Sequence, residues 1–158
     1  MEYISGTPKI FYPGVYENTL AVSAVGREGA SMVFASSYSN YGSWIDISAP
    51  DTAIMSTIPG GYGGKTGTSM ACSIVSGAVA LLFSMDQTIS FDDVKTLLSD
   101  SATDFGEAGY DEKYGHGVIN VKALIDNYLV DKELPMPTAA VPDGSVVGAG
   151  YYELKELS

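Results

Sequence analysis

The 158-residue sequence is poor in cysteine, histidine and basic residues, and each shortage excludes a class of protein. Its single cysteine, Cys72, permits neither an internal disulfide nor a metal site built from several thiolates, and we interpret Cys72 as a small, buried packing residue. Eight lysines and arginines stand against 19 aspartates and glutamates, which gives a net charge of −11. This charge disfavours nucleic acids and anionic membrane surfaces as partners.

Long apolar runs are also lacking. The sequence contains no stretch of about 18 consecutive apolar residues, so we expect no membrane-spanning segment. Met1 is followed by neither a basic n-region nor an apolar h-region, and no signal peptide is visible. A hydrophobic content of 46% with 17% charged residues is typical of a globular domain with a real core.

The apolar pattern predicts short strands followed by helices. Strands are predicted over residues 19–25, 32–35, 44–49 and 53–58. Residues 59–67 are glycine-rich and predict a loop, and a helix of about Ser69 to Met85 follows. This helix is apolar on nearly every side, so we expect it to be central and buried. Ser90 opens a capping box for a second helix, residues 117–119 predict a short strand, and Asn120 caps a third helix.

The chain divides into a globular part and a tail. The periodic pattern ends near Asp131, so we expect one domain over residues 1–131. Residues 132–158 contain Pro135, Pro137 and Pro142, which predict a linker or the start of a further β module.

One serine stands where it could act as a nucleophile. Residues 67–71 (GTSMA) place Ser69 at the start of the predicted helix, whose N-terminal N–H groups would face a developing negative charge. A nucleophilic serine needs a base, and His116 is the only histidine. The sequence therefore indicates that only part of the catalytic machinery is present.

Six blocks, in unbroken order, resemble the C-terminal half of the catalytic domain of subtilisin-like serine proteases. They are residues 12–18 (YPGVYEN), 20–25 (LAVSAV), 39–42 (SNYG), 45–50 (IDISAP), 67–71 (GTSMA) and 115–120 (GHGVIN). The resemblance implies the C-terminal portion of a three-layer α/β fold, in which helices flank a mostly parallel sheet. It also implies peptide-bond hydrolysis through an acyl-enzyme, with Ser69 as the nucleophile and its N–H as half of an oxyanion hole.

The same resemblance implies that other catalytic groups lie upstream. In that family the catalytic Asp and His and the Asn of the oxyanion hole precede this region, and their motifs are absent here. The family tolerates various residues at the position of His116, far from the catalytic base, so the resemblance implies a surface or loop histidine there. We therefore expect this chain alone to be inactive, with the upstream half of the same domain as its partner and a peptide or protein as substrate. Surface exposed by the missing half would favour self-association. The family's extracellular or cell-surface location would apply to the whole protein.

The alternative is a non-catalytic role. In a pseudoprotease, or in a fragment with a structural or interaction function, Ser69 would only cap a helix. The presence or absence of upstream Asp and His motifs would discriminate between these hypotheses. A phosphate-binding loop at residues 64–66 is a weaker rival, because the first glycine of that motif would fall at Pro59.

Two further features follow from the resemblance. Gly14, Tyr16, Thr19 and Asp46 match a weak cation site for Ca²⁺ or Na⁺, whereas no cofactor is required. The alternative there is a hydrogen-bonded loop in which backbone donors satisfy Asp46. The Tyr12-Pro13 bond matches a cis proline of the family. Ser73 replaces the family's usual proline, which would pre-set φ in the first helical turn and so affect the position of Ser69.

Overall fold

The computed structural model describes residues 10–29 and 31–134, which form five strands and three helices. The strands are β1 (Val22–Glu28), β2 (Ser31–Phe34), β3 (Ile47–Pro50), β4 (Ile54–Ile58) and β5 (Gly61–Lys65). The helices are α1 (Thr68–Met85), α2 (Phe91–Ser101) and α3 (Val121–Asp131). The predicted tail beyond Leu134 lies outside the described residues.

The central sheet has the strand order β2-β1-β3. β1 runs parallel to β3, with Val22 opposite Ile47, and antiparallel to β2, with Val25 opposite Phe34. The small and β-branched residues of β1 and β3 suit strands that are covered on both faces. Val118 forms two isolated bridges, a parallel one with Ser48 and an antiparallel one with Thr103, so only this one residue of the strand predicted over residues 117–119 pairs as a strand does. Helices and a mixed sheet in one unit confirm the α/β prediction.

All three helices contribute to one hydrophobic core against β1 and β3. The most deeply buried members are Ala24, Ile47, Ala49, Ala71, Val75, Leu82, Val94, Leu98 and Leu124. The predicted caps of α2 and α3 are confirmed. Ser90 Oγ accepts a hydrogen bond from Asp93 N (3.1 Å), and Asn120 Oδ1 accepts one from Ala123 N (3.0 Å). These caps fix where two of the core helices begin.

α1 is buried on one face only, so the prediction of a helix buried all round is wrong. Its buried residues are Ala71, Val75, Ala78 and Leu82. Leu81, Phe83 and Met85 are 50%, 41% and 42% exposed, because no described element covers the outer face. Cys72 is exposed, and its interpretation as a buried packing residue is also wrong. It follows Ala71 by about 100° of helical rotation and so turns away from the sheet.

α1 bears on the expectation that no segment spans a membrane. With 18 residues and a mean hydropathy of 1.7, it is long and apolar enough to cross a membrane by length and composition alone. Core helices of globular proteins meet the same criterion, and Val75 and Leu82 place α1 in this core.

The glycine-rich segment before α1 is half of a β-hairpin. β4 and β5 pair antiparallel, from Ile54 opposite Lys65 to Ile58 opposite Gly61. The loop predicted over residues 59–67 is therefore wrong for residues 61–65. Glycine has little strand preference of its own, and here pairing with β4 determines the conformation. The rival phosphate-binding loop loses its basis, because Lys65 ends a strand and does not begin a helix.

Candidate active site

Ser69 is the second residue of α1 and is exposed at the surface. The residue before the helix, Gly67, provides no side-chain cap. The first N–H groups of a helix have no intrahelical acceptor, so the N–H of Ser69 is available to an oxyanion. Within residues 10–29 and 31–134, Ser69 Oγ has no hydrogen-bond partner. The described part of the chain thus presents a free hydroxyl beside free N–H donors.

The start of α1 is held by the end of β3 and the turn that follows it. Gly67 N donates to Asp51 O (3.1 Å), and Ala53 N donates to Thr66 Oγ1 (3.0 Å). Gly67 has φ 147°, a conformation that favours glycine over residues with a Cβ. The site therefore lies at the carboxyl end of β3, where sheets of this class commonly bind ligands.

Ser73 lies one turn beyond the nucleophile. It is the sixth residue of α1, and its Oγ donates to Ser69 O (2.8 Å). Ser73 therefore stands in the second turn, and the prediction that a proline would act there on the first turn is wrong. A proline at this position would remove both the N–H and the hydroxyl that lie next to the carbonyl of Ser69.

His116 contacts a different part of the molecule. Its backbone N–H donates to Asp46 O (3.0 Å). Its ring stands edge-on to the ring of Tyr110, with the ring centroids 5.2 Å apart. With Asp46, Lys95 and neighbouring residues it lines a cavity of about 230 Å³ that includes no residue of α1. Its exposure and contacts fit a loop histidine, and the described structure does not bring it to Ser69.

The residues of the candidate cation site are engaged in hydrogen bonds. Thr19 Oγ1 lies 2.7 Å from Tyr16 O, 3.1 Å from Pro13 O and 3.2 Å from Gly14 O. Asp46 Oδ2 accepts from Ala21 N (2.8 Å), and Asp46 Oδ1 forms an ion pair with Lys95 Nζ (2.6 Å). The described residues contain no group of three His, Cys, Asp or Glu side chains suited to a metal.

These contacts fit the hydrogen-bonded loop better than an ion site. The Lys95 ammonium already neutralises Asp46 and would repel a second cation beside it. The three carbonyl oxygens that converge on Thr19 keep the shape of a weak oxygen site, so Ca²⁺ or Na⁺ stays a prediction. The Tyr12-Pro13 bond is cis, as the resemblance implies.

Sequence reasoning missed Asp51 and Tyr38. Asp51 is 0% exposed, and Tyr38 donates its hydroxyl hydrogen to Asp51 Oδ2. An aspartate directly after Pro50, at the end of a predicted strand, was the available signal. The signal was weak, because such residues usually belong to exposed turns.

Comparisons with known proteins agree with the family resemblance of the sequence. The profile of the Subtilase family matches residues 4–117. Subtilisin NAT of Bacillus subtilis subsp. natto is 42% identical over 118 residues, which is 74% of this chain and 29% of that protein. Subtilisin of Bacillus pumilus is also 42% identical over 118 residues, 74% of this chain and 40% of that protein.

A solved structure is similar as well. Fervidolysin from Fervidobacterium pennivorans, a keratinolytic enzyme related to subtilisin, matches with a TM-score of 0.67 and 27% sequence identity. The match covers 80% of this chain and 21% of fervidolysin. The chain therefore spans less than half the length of each of these three proteins.

Proposed function

Because this chain belongs to the subtilase family, we propose that it supplies the nucleophile Ser69 of a serine endopeptidase. The observation that carries the proposal is that Ser69, at a helix N-terminus without a side-chain cap, has a hydroxyl with no hydrogen-bond partner among the described residues. In this mechanism Ser69 Oγ attacks the scissile carbonyl and forms an acyl-enzyme, which water then hydrolyses. The N–H of Ser69 supports the oxyanion as the tetrahedral intermediate forms.

The base and its orienting carboxylate come from outside these 158 residues in our proposal. The ring of His116, the only histidine, contacts Tyr110, and its backbone N–H donates to Asp46 O. We therefore assign proton transfer to a histidine, and its orientation to an aspartate, in the upstream part of the domain. A longer polypeptide that carries those motifs is called the parent below. Without the base, Ser69 keeps its proton, so this chain alone should not hydrolyse peptides.

We further propose that the upstream part of the domain covers the outer face of α1. A cavity of about 280 Å³ between α1 and the start of β1 is lined by apolar groups that include Leu20, Val22, Val79 and Phe83. β2 pairs only with residues 25–28, so the first half of β1 lacks a strand partner on that edge within the described residues. Apolar surface next to an open strand edge suits a further layer of the same domain.

The upstream part is the favoured occupant because the chain spans only 29% of the length of Subtilisin NAT. Sedimentation of the chain, alone and with the upstream polypeptide, tests this. Self-association alone and a 1:1 complex after mixing would support the proposal. A monodisperse monomer that does not bind the upstream polypeptide would contradict it.

Peptide hydrolysis tests the enzymatic proposal directly. The parent should cleave a peptide substrate, and Ser69→Ala should abolish cleavage. Ser84→Ala, an exposed serine near the end of the same helix, should leave cleavage unchanged. Cleavage by Ser69→Ala at the parent's rate would overturn the proposal, and an inactive parent would favour the pseudoprotease. An extracellular or cell-surface location of the parent belongs to the same proposal.

A further inference from the structure

Asp51 is the only buried carboxylate in residues 10–29 and 31–134. Both of its oxygens accept hydrogen bonds from hydroxyl groups. Thr52 Oγ1 donates to Oδ1 (2.6 Å), and the Tyr38 hydroxyl donates to Oδ2. A buried carboxylate is costly unless it is hydrogen-bonded, so these two donors account for its presence in the interior. Burial, and then the bond to Asp51, raise the pKa of Tyr38 to about 12, so Tyr38 remains a donor at neutral pH.

The main chain of Asp51 connects the sheet to the start of α1. Its N–H donates to Val25 O (3.1 Å) on β1, and its carbonyl accepts from Gly67 N (3.1 Å). Gly67 O in turn accepts from Met70 N (2.9 Å). Ser69 lies between the two residues of this last bond, so a movement of Asp51 would be transmitted to the nucleophile.

The turn after Asp51 is backbone-strained. Ala53 has φ 52°, a left-handed conformation that a residue with a Cβ adopts only when its surroundings enforce it. Thr66, which directly precedes Gly67, accepts the N–H of Ala53 (3.0 Å). The segment before Ser69 is therefore attached at two points to a turn whose conformation needs external support.

We propose that the Tyr38–Asp51 hydrogen bond positions Ser69 for reaction by fixing the turn that holds Gly67. Asp51 and Tyr38 are positioning residues, and neither contacts Ser69. The inference rests on the proposed function, since position matters for catalysis only if Ser69 reacts. It assigns a positioning role to a contact between the residue that follows β3 and the loop after β2.

Hydrogen exchange on the full chain tests the positioning without any need for activity. Tyr38→Phe leaves Asp51 in place and removes one donor. Exchange at the Gly67 amide should then accelerate by about tenfold or more relative to amides of α3, since bonds to charged groups are among the stronger ones. Ser48→Ala is the matched control, because it removes a buried hydroxyl from β3 that donates to Gly117 O (3.0 Å). Ser48→Ala should accelerate hydrogen exchange at the Gly67 amide no more than it accelerates exchange at the amides of α3.

Labelling of the parent tests the catalytic consequence. The rate constant for fluorophosphonate attack on Ser69 should fall about tenfold in Tyr38→Phe and in Asp51→Asn. The double variant should react no more slowly than Asp51→Asn, and Ser48→Ala should react like the wild type. If Asp51→Asn does not fold, the labelling rate constants of Tyr38→Phe and Ser48→Ala still show whether the Tyr38–Asp51 hydrogen bond affects the reactivity of Ser69.

The two readouts separate the two proposals. A wild-type parent that is never labelled would contradict the proposed function, while exchange at Gly67 would still test the positioning. Equal acceleration at Gly67 in Tyr38→Phe and Ser48→Ala would overturn the positioning role. Unchanged labelling of Tyr38→Phe in a reactive parent would overturn its catalytic consequence.

Discussion

Leu81 and Leu82 are adjacent on α1, yet shortening them to alanine should have very different consequences. Leu82 is 0% exposed and belongs to the core with Val94, Leu98 and Leu124. Leu82→Ala should lower the free energy of unfolding by about 2–5 kcal/mol through lost burial and the cavity that remains. Leu81 is 50% exposed. Full burial of a leucine contributes about 1.5–3 kcal/mol, so Leu81→Ala should cost about 1 kcal/mol or less in this chain.

In the parent, only the stability cost of Leu81→Ala should change, from small to large. If the upstream part of the domain covers the outer face of α1, Leu81 becomes buried and Leu81→Ala should cost about as much as Leu82→Ala. Urea unfolding followed by circular dichroism, on both variants in both proteins, measures these four differences. Equal costs in this chain alone would show that the outer face is already covered. A cost for Leu81→Ala that stays low in the parent would show that the upstream part docks elsewhere.

Three further predictions concern local features. Gly67→Ala should destabilise the chain by about 1–3 kcal/mol, because Gly67 has φ 147°. Gly77 is exposed within α1 and has open space for a Cβ, so Gly77→Ala should stabilise the chain by about 0.5–1 kcal/mol. Thermal unfolding of both variants checks these opposite signs. Ser90→Ala should cost about 1 kcal/mol by removing the cap of α2, and restoration by Ser90→Asp in the same unfolding assay would confirm capping as the cause. Hydrogen bonds from Thr88 hold the pKa of Asp86 below its ordinary 3.8. The stability that these bonds contribute is therefore present above that pH and is lost as the pH falls through the folded pKa. In urea titrations, the difference in unfolding free energy between wild type and Asp86→Asn should shrink as the pH is lowered from neutral to below 3.8.

The sequence predicted best those elements whose signal is local. Ser90 and Asn120 cap helices as expected, because a capping side chain bonds a backbone group within three residues. The helix that begins near Ser69 was also predictable, since its apolar run is long and follows a glycine. The exposure of one face of this helix was not predictable. The spacing of apolar residues shows that a surface is apolar, but it does not show whether another element covers that surface.

Features that depend on distant residues were missed or misread. β5 is held by pairing with β4, and the glycines of its own sequence favour a loop. Asp51 is buried because Tyr38, 13 residues earlier, is folded against it. The candidate nucleophile could be located from residues 67–71 alone, whereas the hydrogen bonds that hold those residues required the structure.

Labelling by a fluorophosphonate, read by peptide mass spectrometry, would show whether Ser69 is a reactive nucleophile and whether its base lies upstream. The experiment compares the parent with this chain alone and includes Ser69→Ala as the control. We predict that the parent is labelled at Ser69, that Ser69→Ala is not labelled, and that this chain alone is not labelled because its base is missing. A parent that is not labelled would contradict the assignment of Ser69, and equal labelling of this chain would contradict an upstream base.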